Sequence, residues 1–243
     1  MHEATLYKEN AFVTLTYDDA NLPEKGQLDY TQYQKFMKRL RKHYAPRQIR
    51  FYMCGEYGPQ LQRPHFHACL FNIDFQDKTF WAPLPSGGNL YRSQTLEKLW
   101  PFGFSSIGDV NFETAAYVAR YCMKKITGHN AQYHYHGLTP EFNKMSLKPG
   151  IGTEFLKKWT SDIYPNDYVI VNNKKTQPPK YYDKIYKKMN KEKYEEIKMK
   201  REMNGRKNYE DNTETRLETK EQVTKARLKY LKRGMQDYEN SIS

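Results

Sequence analysis

Residues 48–73 read QIRFYMCGEYGPQLQRPHFHACLFNI, two strand-forming runs on either side of the short polar loop Pro59 to Arg63. A loop that short joins neighbouring antiparallel strands. Side chains alternate faces along a strand. His65, His67 and Cys69 therefore share one face, while Phe66, Ala68 and Leu70 take the other and can enter a core. Folding the hairpin about residues 58–63 sets Glu56 opposite His65, and opposed residues project to the same side of a sheet. Two imidazoles and a carboxylate are thus expected to converge, a set that suits a divalent ion with positions left open. A bare His-x-His pair is a short pattern, and a structural role for either ring competes with ligation.

The other elements place this hairpin in a fold. AFVTLTYDD, β-branched and aromatic, predicts a strand over Ala11 to Tyr17. In DYTQYQKFMKRLRKHYAP, the apolar residues Tyr33, Phe36, Met37, Leu40 and Tyr44 fall on one helical face, with Lys35, Lys38, Arg39 and Lys42 solvated and Pro46 ending the helix. Residues 74–93 read as an irregular excursion, SQTLEKLW as a short helix and GFSSIGDV as a strand. NFETAAYVARYCMKKITGH carries Asn111 as a cap, Glu113 in the first turn, Lys124 and Lys125 in the last and Gly128 at the exit. The order predicts an α+β fold, a ferredoxin-like (RRM-like) antiparallel sheet with helices packed on it. Residues 1–128 form the expected main domain. Residues 129–180 read as a loop-rich extension with one helix around GTEFLKKWTSDI. Residues 181–243 read as a basic tail, helical or partly disordered, with too few apolar positions for a core of its own.

On a helical wheel Phe112, Ala115, Ala119, Cys122 and Ile126 cluster in one arc, the expected packing stripe, and Tyr117, Tyr121 and Lys124 lie nearly opposite. Tyrosines four apart are ordinarily core residues. Here the other stripe meets that need, so the tyrosine face is free to be presented to the metal. A phenol, with a pKa near ~10, is a poor nucleophile at neutral pH. A cation that polarises a phosphodiester also favours the phenolate, and attack would leave a phosphotyrosine and a free 3′-hydroxyl.

Composition agrees with a nucleic-acid partner. The 243 residues carry a formal net charge of +12, and such a chain is drawn to phosphate backbones by counterion release. Its 21 tyrosines include rings that could stack on unpaired bases. The three cysteines, Cys54, Cys69 and Cys122, have no Cys-x-x-Cys spacing, which argues against a disulfide scaffold and for a reducing compartment. No apolar run approaches a membrane span, and MHEATLYKEN lacks a signal-peptide core. A soluble, cytoplasmic protein is expected.

RPHFHACLF resembles the His-hydrophobic-His motif of the HUH endonuclease superfamily, YVARYCMKK its two-tyrosine motif and FVTLTY its first motif. TLTYDD, CGEYG, RPHFH, YVARYCMKK, PGIGTEFLKKW and PPKYYD are similar to stretches of the rolling-circle replication initiators of small single-stranded DNA phages, Microviridae of the gokushovirus type. The likeness runs over about residues 1–183. It implies the HUH endonuclease fold, His65 and His67 as metal ligands with Glu56 the third, and Mn²⁺ or Mg²⁺ as the ion. It also implies Tyr117 and Tyr121 as a nucleophile pair, with Tyr121 acting first, and Lys124 as the supporting cation. The implied partners are single-stranded DNA at a viral origin and a host helicase and DNA polymerase, in the host bacterial cytoplasm. Such relatives commonly carry a Cys-x-x-Cys segment ahead of the stretch that matches MHEA. Two other classes remain open: a non-catalytic single-stranded DNA- or RNA-binding module on a ferredoxin-like sheet, and a zinc hydrolase using His65, His67 and Cys69 or Glu56.

Overall fold

A computed structural model of the chain describes residues 1–58, 61–84, 87–207 and 209–230; the side chains of residues 121–124 are not among those described. The chain divides into two units, the first running from Met1 to Gly152 and the second beginning at Thr153.

The first unit is built on an antiparallel sheet. Its strands are β1 (Asn10–Thr16), β2 (Arg50–Tyr57), β3 (Pro64–Phe71), β4 (Thr79–Pro83), β5 (Asn89–Arg92), β6 (Ser105–Gly108) and β7 (Phe142–Met145), and they lie in the order β4-β5-β6-β1-β3-β2-β7. The helices are α1 (Tyr30–His43), α2 (Gln94–Leu99), α3 (Phe112–Lys124) and α4 (His129–Tyr135). Strands β6-β1-β3-β2, all antiparallel, carry the α+β arrangement expected from the sequence. The excursion at 74–93 is not irregular: it adds β4 and β5 at one edge. β7 comes from the stretch read as loop-rich and pairs with β2 at the other edge.

Strand alternation divides the sheet into two dissimilar faces. Ala11, Val13, Leu15, Phe51, Met53, Phe66, Ala68, Leu70 and Ile107 point to one side, where Tyr33, Phe36, Met37 and Leu40 of α1 and Leu96 and Leu99 of α2 bury them. Trp100 is fully buried in this layer, and its indole N–H donates to the Thr16 carbonyl at 2.8 Å. Asp29 caps α1 by accepting from the Thr31 N–H at 2.8 Å. Arg39, read as solvated, instead donates to the Leu99 carbonyl at 2.9 Å and lies over the Phe102 ring.

The opposite face carries Phe12, Cys54, Cys69 and Phe71 and is covered by α3 through Tyr117 and Val118. Asn111 and Thr114 form a reciprocal capping box that starts α3. The expected orientation of α3 is corrected here. Thr114, Tyr117 and Val118 are buried, whereas Phe112, assigned to the packing stripe, is 40% exposed and Ala115 and Ala119 are half-buried. Tyr117 lies on the side that packs, and the side chain of Cys122, also assigned to the stripe, lies outside the described residues. Two buried charges lie in this unit as well. Glu3 and Arg50 form an ion pair at 2.6 Å, and the second Glu3 oxygen accepts the Gly152 N–H at 2.7 Å.

The second unit comprises α5 (Thr153–Asn166), the hairpin β8 (Val169–Val171) and β9 (Lys174–Thr176), α6 (Lys180–Met189), α7 (Lys191–Lys207) and α8 (Glu214–Tyr230). It has a small core of its own: Leu156, Ile163, Tyr164, Val169, Tyr182, Tyr186 and Ile197. The stretch from 181 therefore does contribute to a core, contrary to the reading from composition, because its few apolar residues pack against α5 and β8. Tyr164 and Tyr186 stack at 3.7 Å between centroids. Arg201 bridges Asp167 and Asp183, at 2.6 and 2.7 Å. Among the described residues no helix is long and apolar enough to cross a membrane.

Candidate active site

The hairpin places Glu56, His65 and His67 as strand alternation requires. Glu56 on β2 pairs directly with His65 on β3, and His67 pairs with Cys54 on one side and Thr14 of β1 on the other. The Nε2 atoms of His65 and His67 lie 3.2 and 2.8 Å from the same carboxylate oxygen, Glu56 Oε1. One ligand atom from each residue falls within 4.8 Å of the others. The two imidazole rings meet edge to face, with centroids 4.8 Å apart.

What holds each ring at Nδ1 fixes where its Nε2 points. His65 Nδ1 sits 3.0 Å from the Arg63 carbonyl oxygen, an acceptor only, so that nitrogen carries the proton. His67 Nδ1 lies 2.9 Å from Thr14 Oγ1, and Phe12 stacks on the same ring at 5.7 Å. With the Nδ1 positions engaged, each ring turns its Nε2 toward Glu56, and a bound metal would take the place of the Nε2 protons that contact the carboxylate here, the arrangement by which outer partners orient ligating histidines. Burial alone would raise the Glu56 pKa, but hydrogen bonds from His65 and His67 outweigh it and hold the carboxyl at about 2. Two imidazole nitrogens and an ionised carboxylate, clustered within one coordination sphere and in part open at His65, fit a divalent cation.

Tyr117 joins this cluster from α3. Its hydroxyl donates to Glu56 Oε1 at 3.0 Å and lies 3.4 Å from His67 Nε2, with its ring edge to face against His67. The residue is only 3% exposed. Tyr121 and Lys124 belong to the same helix, and their side chains lie outside the described residues. Cys69, weighed as a zinc ligand, lies in the apolar layer, and burial pushes its thiol up to about 12. Among the described residues the side chains whose ligand atoms cluster are Glu56, His65 and His67, and Cys69 is not one of them. Thr14 and Phe12 were not singled out from the sequence. Their signal was the alternation of FVTLT, which sets both on the histidine face once β1 is paired with β3.

Residues 10–126 match the family described as replication-associated protein ORF2. The chain is 33% identical over 204 residues to the replication-associated protein VP4 of Bdellovibrio phage phiMH2K, covering 80% of this chain and 63% of that protein. The chain is thus similar to replication-associated proteins of phages. It is also 33% identical over 188 residues to the replication-associated protein ORF2 of Spiroplasma virus 4, covering 73% of this chain and 58% of that protein. Its identity to ORF4 of Chlamydia phage 1 is 28% over 196 residues, covering 77% of this chain and 48% of that protein. The chain thus spans less than two thirds of the length of each of these replication-associated proteins. No solved structure matches it. The matched family segment contains Glu56, His65, His67, Tyr117, Tyr121 and Lys124.

Proposed function

We infer that this chain initiates rolling-circle replication by nicking single-stranded DNA at a viral origin and later rejoining the strand. The observation that carries this reading is the Tyr117 hydroxyl on the Glu56–His65–His67 cluster, a phenol held where a divalent cation would bind. Glu56, His65 and His67 would hold Mn²⁺ or Mg²⁺, which when bound polarises a phosphodiester and stabilises the charge that develops on it.

The chain's own residues account for the rest. A tyrosine oxygen bonds to phosphorus as the P–O3′ bond breaks, giving a 5′-phosphotyrosine and, once the leaving oxygen takes up a proton, a free 3′-hydroxyl for a polymerase. Glu56 Oε1 accepts the Tyr117 hydroxyl hydrogen bond and so orients that phenol toward the cluster, and the attacking phenol's proton passes to solvent. Tyr117 is buried and engaged, which favours Tyr121, one helical turn on, for the first cut and Tyr117 for the second transfer. Lys124 offsets phosphate charge. In the reverse direction a 3′-hydroxyl attacks the phosphotyrosine, restoring the phosphodiester and releasing the phenol. The helicase and polymerase would come from the host, in whose cytoplasm the protein would act.

Incubation with origin-like single-stranded DNA and Mn²⁺ or Mg²⁺ should give a covalent adduct on a denaturing gel. Tyr117→Phe combined with Tyr121→Phe should abolish it, and His65→Ala should reduce it to near zero. An adduct that survives the double phenylalanine variant removes both tyrosines from the mechanism.

A further inference from the structure

The second unit contains a cavity of about 560 Å³ lined by Gln177, Pro178, Lys180, Asp183, Lys184, Lys187, Tyr194 and Arg201. Four of these residues are cationic and one is a carboxylate, so the cavity has a strong positive bias. The carboxylate does not offset the lysines, because Asp183 is engaged by Arg201 at 2.7 Å and accepts from the Tyr164 hydroxyl at 3.1 Å. Arg201 in turn is shared with Asp167, so it braces the wall of the cavity and is not a free cation.

The remaining charges are differently placed. Lys180, Lys184 and Lys187 recur at helical spacing along α6, on the side away from the buried Tyr182 and Tyr186. Among the described residues neither Lys180 nor Lys184 has a carboxylate partner. Lys187 reaches Glu195 only at 3.4 Å across a half-exposed pair and lies over the Tyr194 ring at 5.6 Å. A surface ion pair of that kind contributes little and is readily exchanged. Three ammonium groups one turn apart span about 10 Å along a helix. That span matches successive phosphates of an extended strand better than one small anion. Lysines are strongly hydrated point charges on flexible stems, suited to gripping a backbone without reading bases.

We propose that this cavity is a phosphodiester-backbone site that grips single-stranded DNA, with Lys180, Lys184 and Lys187 as its cations. The choice of DNA as ligand rests on the proposed function above; the basic cavity itself does not. Nothing in the metal cluster is needed for it, and it contributes sequence-independent affinity to the whole chain.

The test uses the full chain and a fluorescein-labelled thirty-nucleotide oligo-dT, read by fluorescence anisotropy across a salt series without divalent metal. The triple variant Lys180→Gln, Lys184→Gln, Lys187→Gln should lower the slope of log K against log salt by about 2 and weaken binding roughly 10- to 100-fold near 0.1 M salt. The corresponding triple Lys→Arg variant should bind like the parent. A charge-matched control, Lys35→Gln, Lys38→Gln, Lys42→Gln on the exposed face of α1, should lose much less. Equal loss in both glutamine triples would mean diffuse attraction to a basic chain and would overturn the site, as would an unchanged slope in the α6 variant with a parent-like melting temperature. A melted α6 triple is replaced by the single variants, whose slopes must each fall. Covalent adduct formation on a short origin oligonucleotide at saturating concentration should persist in the α6 triple. If the parent forms no adduct yet the slopes behave as stated, the nicking reading fails and the backbone site stands.

Discussion

At the scale of single residues, the cluster is held from behind as firmly as from in front. Glu56 collects three hydrogen-bonding atoms on one oxygen, His65 Nε2, His67 Nε2 and the Tyr117 hydroxyl, a concentration that a bound cation would share out. The less visible contribution is that of Thr14, whose hydroxyl fixes His67 through Nδ1. Thr14→Val keeps the shape, leaves a buried Nδ1 unpartnered and frees the ring to change tautomer. Mn²⁺ affinity measured by calorimetry should fall about 10- to 100-fold, the usual effect of losing an outer partner of a ligating histidine. Unchanged affinity would assign the orientation of His67 to the stacked Phe12 alone. The convergence of Glu56, His65 and His67 was legible in the sequence because the strand period is two and the loop at 59–63 is short. Thr14 was not, because its partner is 53 residues away and only the β1–β3 pairing brings them together.

At the scale of elements, α3 shows where pattern reading fails. A helical wheel tells which residues share a face but not which face meets the sheet. The stripe through Phe112, Ala115 and Ala119 is the more apolar one, yet Thr114, Tyr117 and Val118 are buried. The reason lies in the surface they cover: the sheet face there bears the polar Glu56, His65 and His67 beside its apolar residues, and the Tyr117 hydroxyl adds a hydrogen bond to Glu56 that a phenylalanine would lack. The consequence is measurable in urea. Val118→Ala, at a fully buried position, should cost about 1.5–2.5 kcal/mol for the lost methyl groups and the cavity they leave. Phe112→Ala, at a 40% exposed position, should fall within about 0.5 kcal/mol of the parent. The reverse ranking would restore the orientation read from the sequence. Strands β4, β5 and β7 escaped notice for a different reason. They are four or five residues long, with half or more of each run exposed or half-buried, so no alternation marks them. Similarly, Tyr182, Tyr186 and Ile197 look like isolated apolar residues in a charged tail until Leu156 and Ile163, in another element, are set against them.

At the scale of the whole molecule, the cores follow the division into two units, and that bears on how much chain the metal cluster needs. Both apolar layers flanking the sheet draw on residues up to Ile151, and the third core begins at Phe155. A boundary at 128 would remove β7, whose register with β2 runs from Tyr52–Met145 to Gly55–Phe142 beside Glu56. It would also remove Asn143, which donates to the Val118 carbonyl at 2.6 Å, and Thr139, whose carbonyl accepts from Tyr57 at 2.8 Å. Glu3 sets the limit more tightly still. At 1% exposure it needs both Arg50 and the Gly152 N–H, and a buried pair deprived of one member costs about 3–5 kcal/mol. The fragment 1–152 should therefore unfold cooperatively and gain thermal stability from Mn²⁺. In the fragment 1–128, β2 lacks its edge partner and Glu3 one of its donors, so little or no Mn²⁺-dependent stabilisation should remain. The same fragment 1–152 carrying Glu3→Ala should lose several kcal/mol, whereas Glu3→Met with Arg50→Met should recover part of it by removing both charges together. A fragment ending at 128 that melts and binds Mn²⁺ like the longer one would place the boundary where composition alone put it, and would leave β7 and the Glu3 pair as ornaments on a unit complete without them.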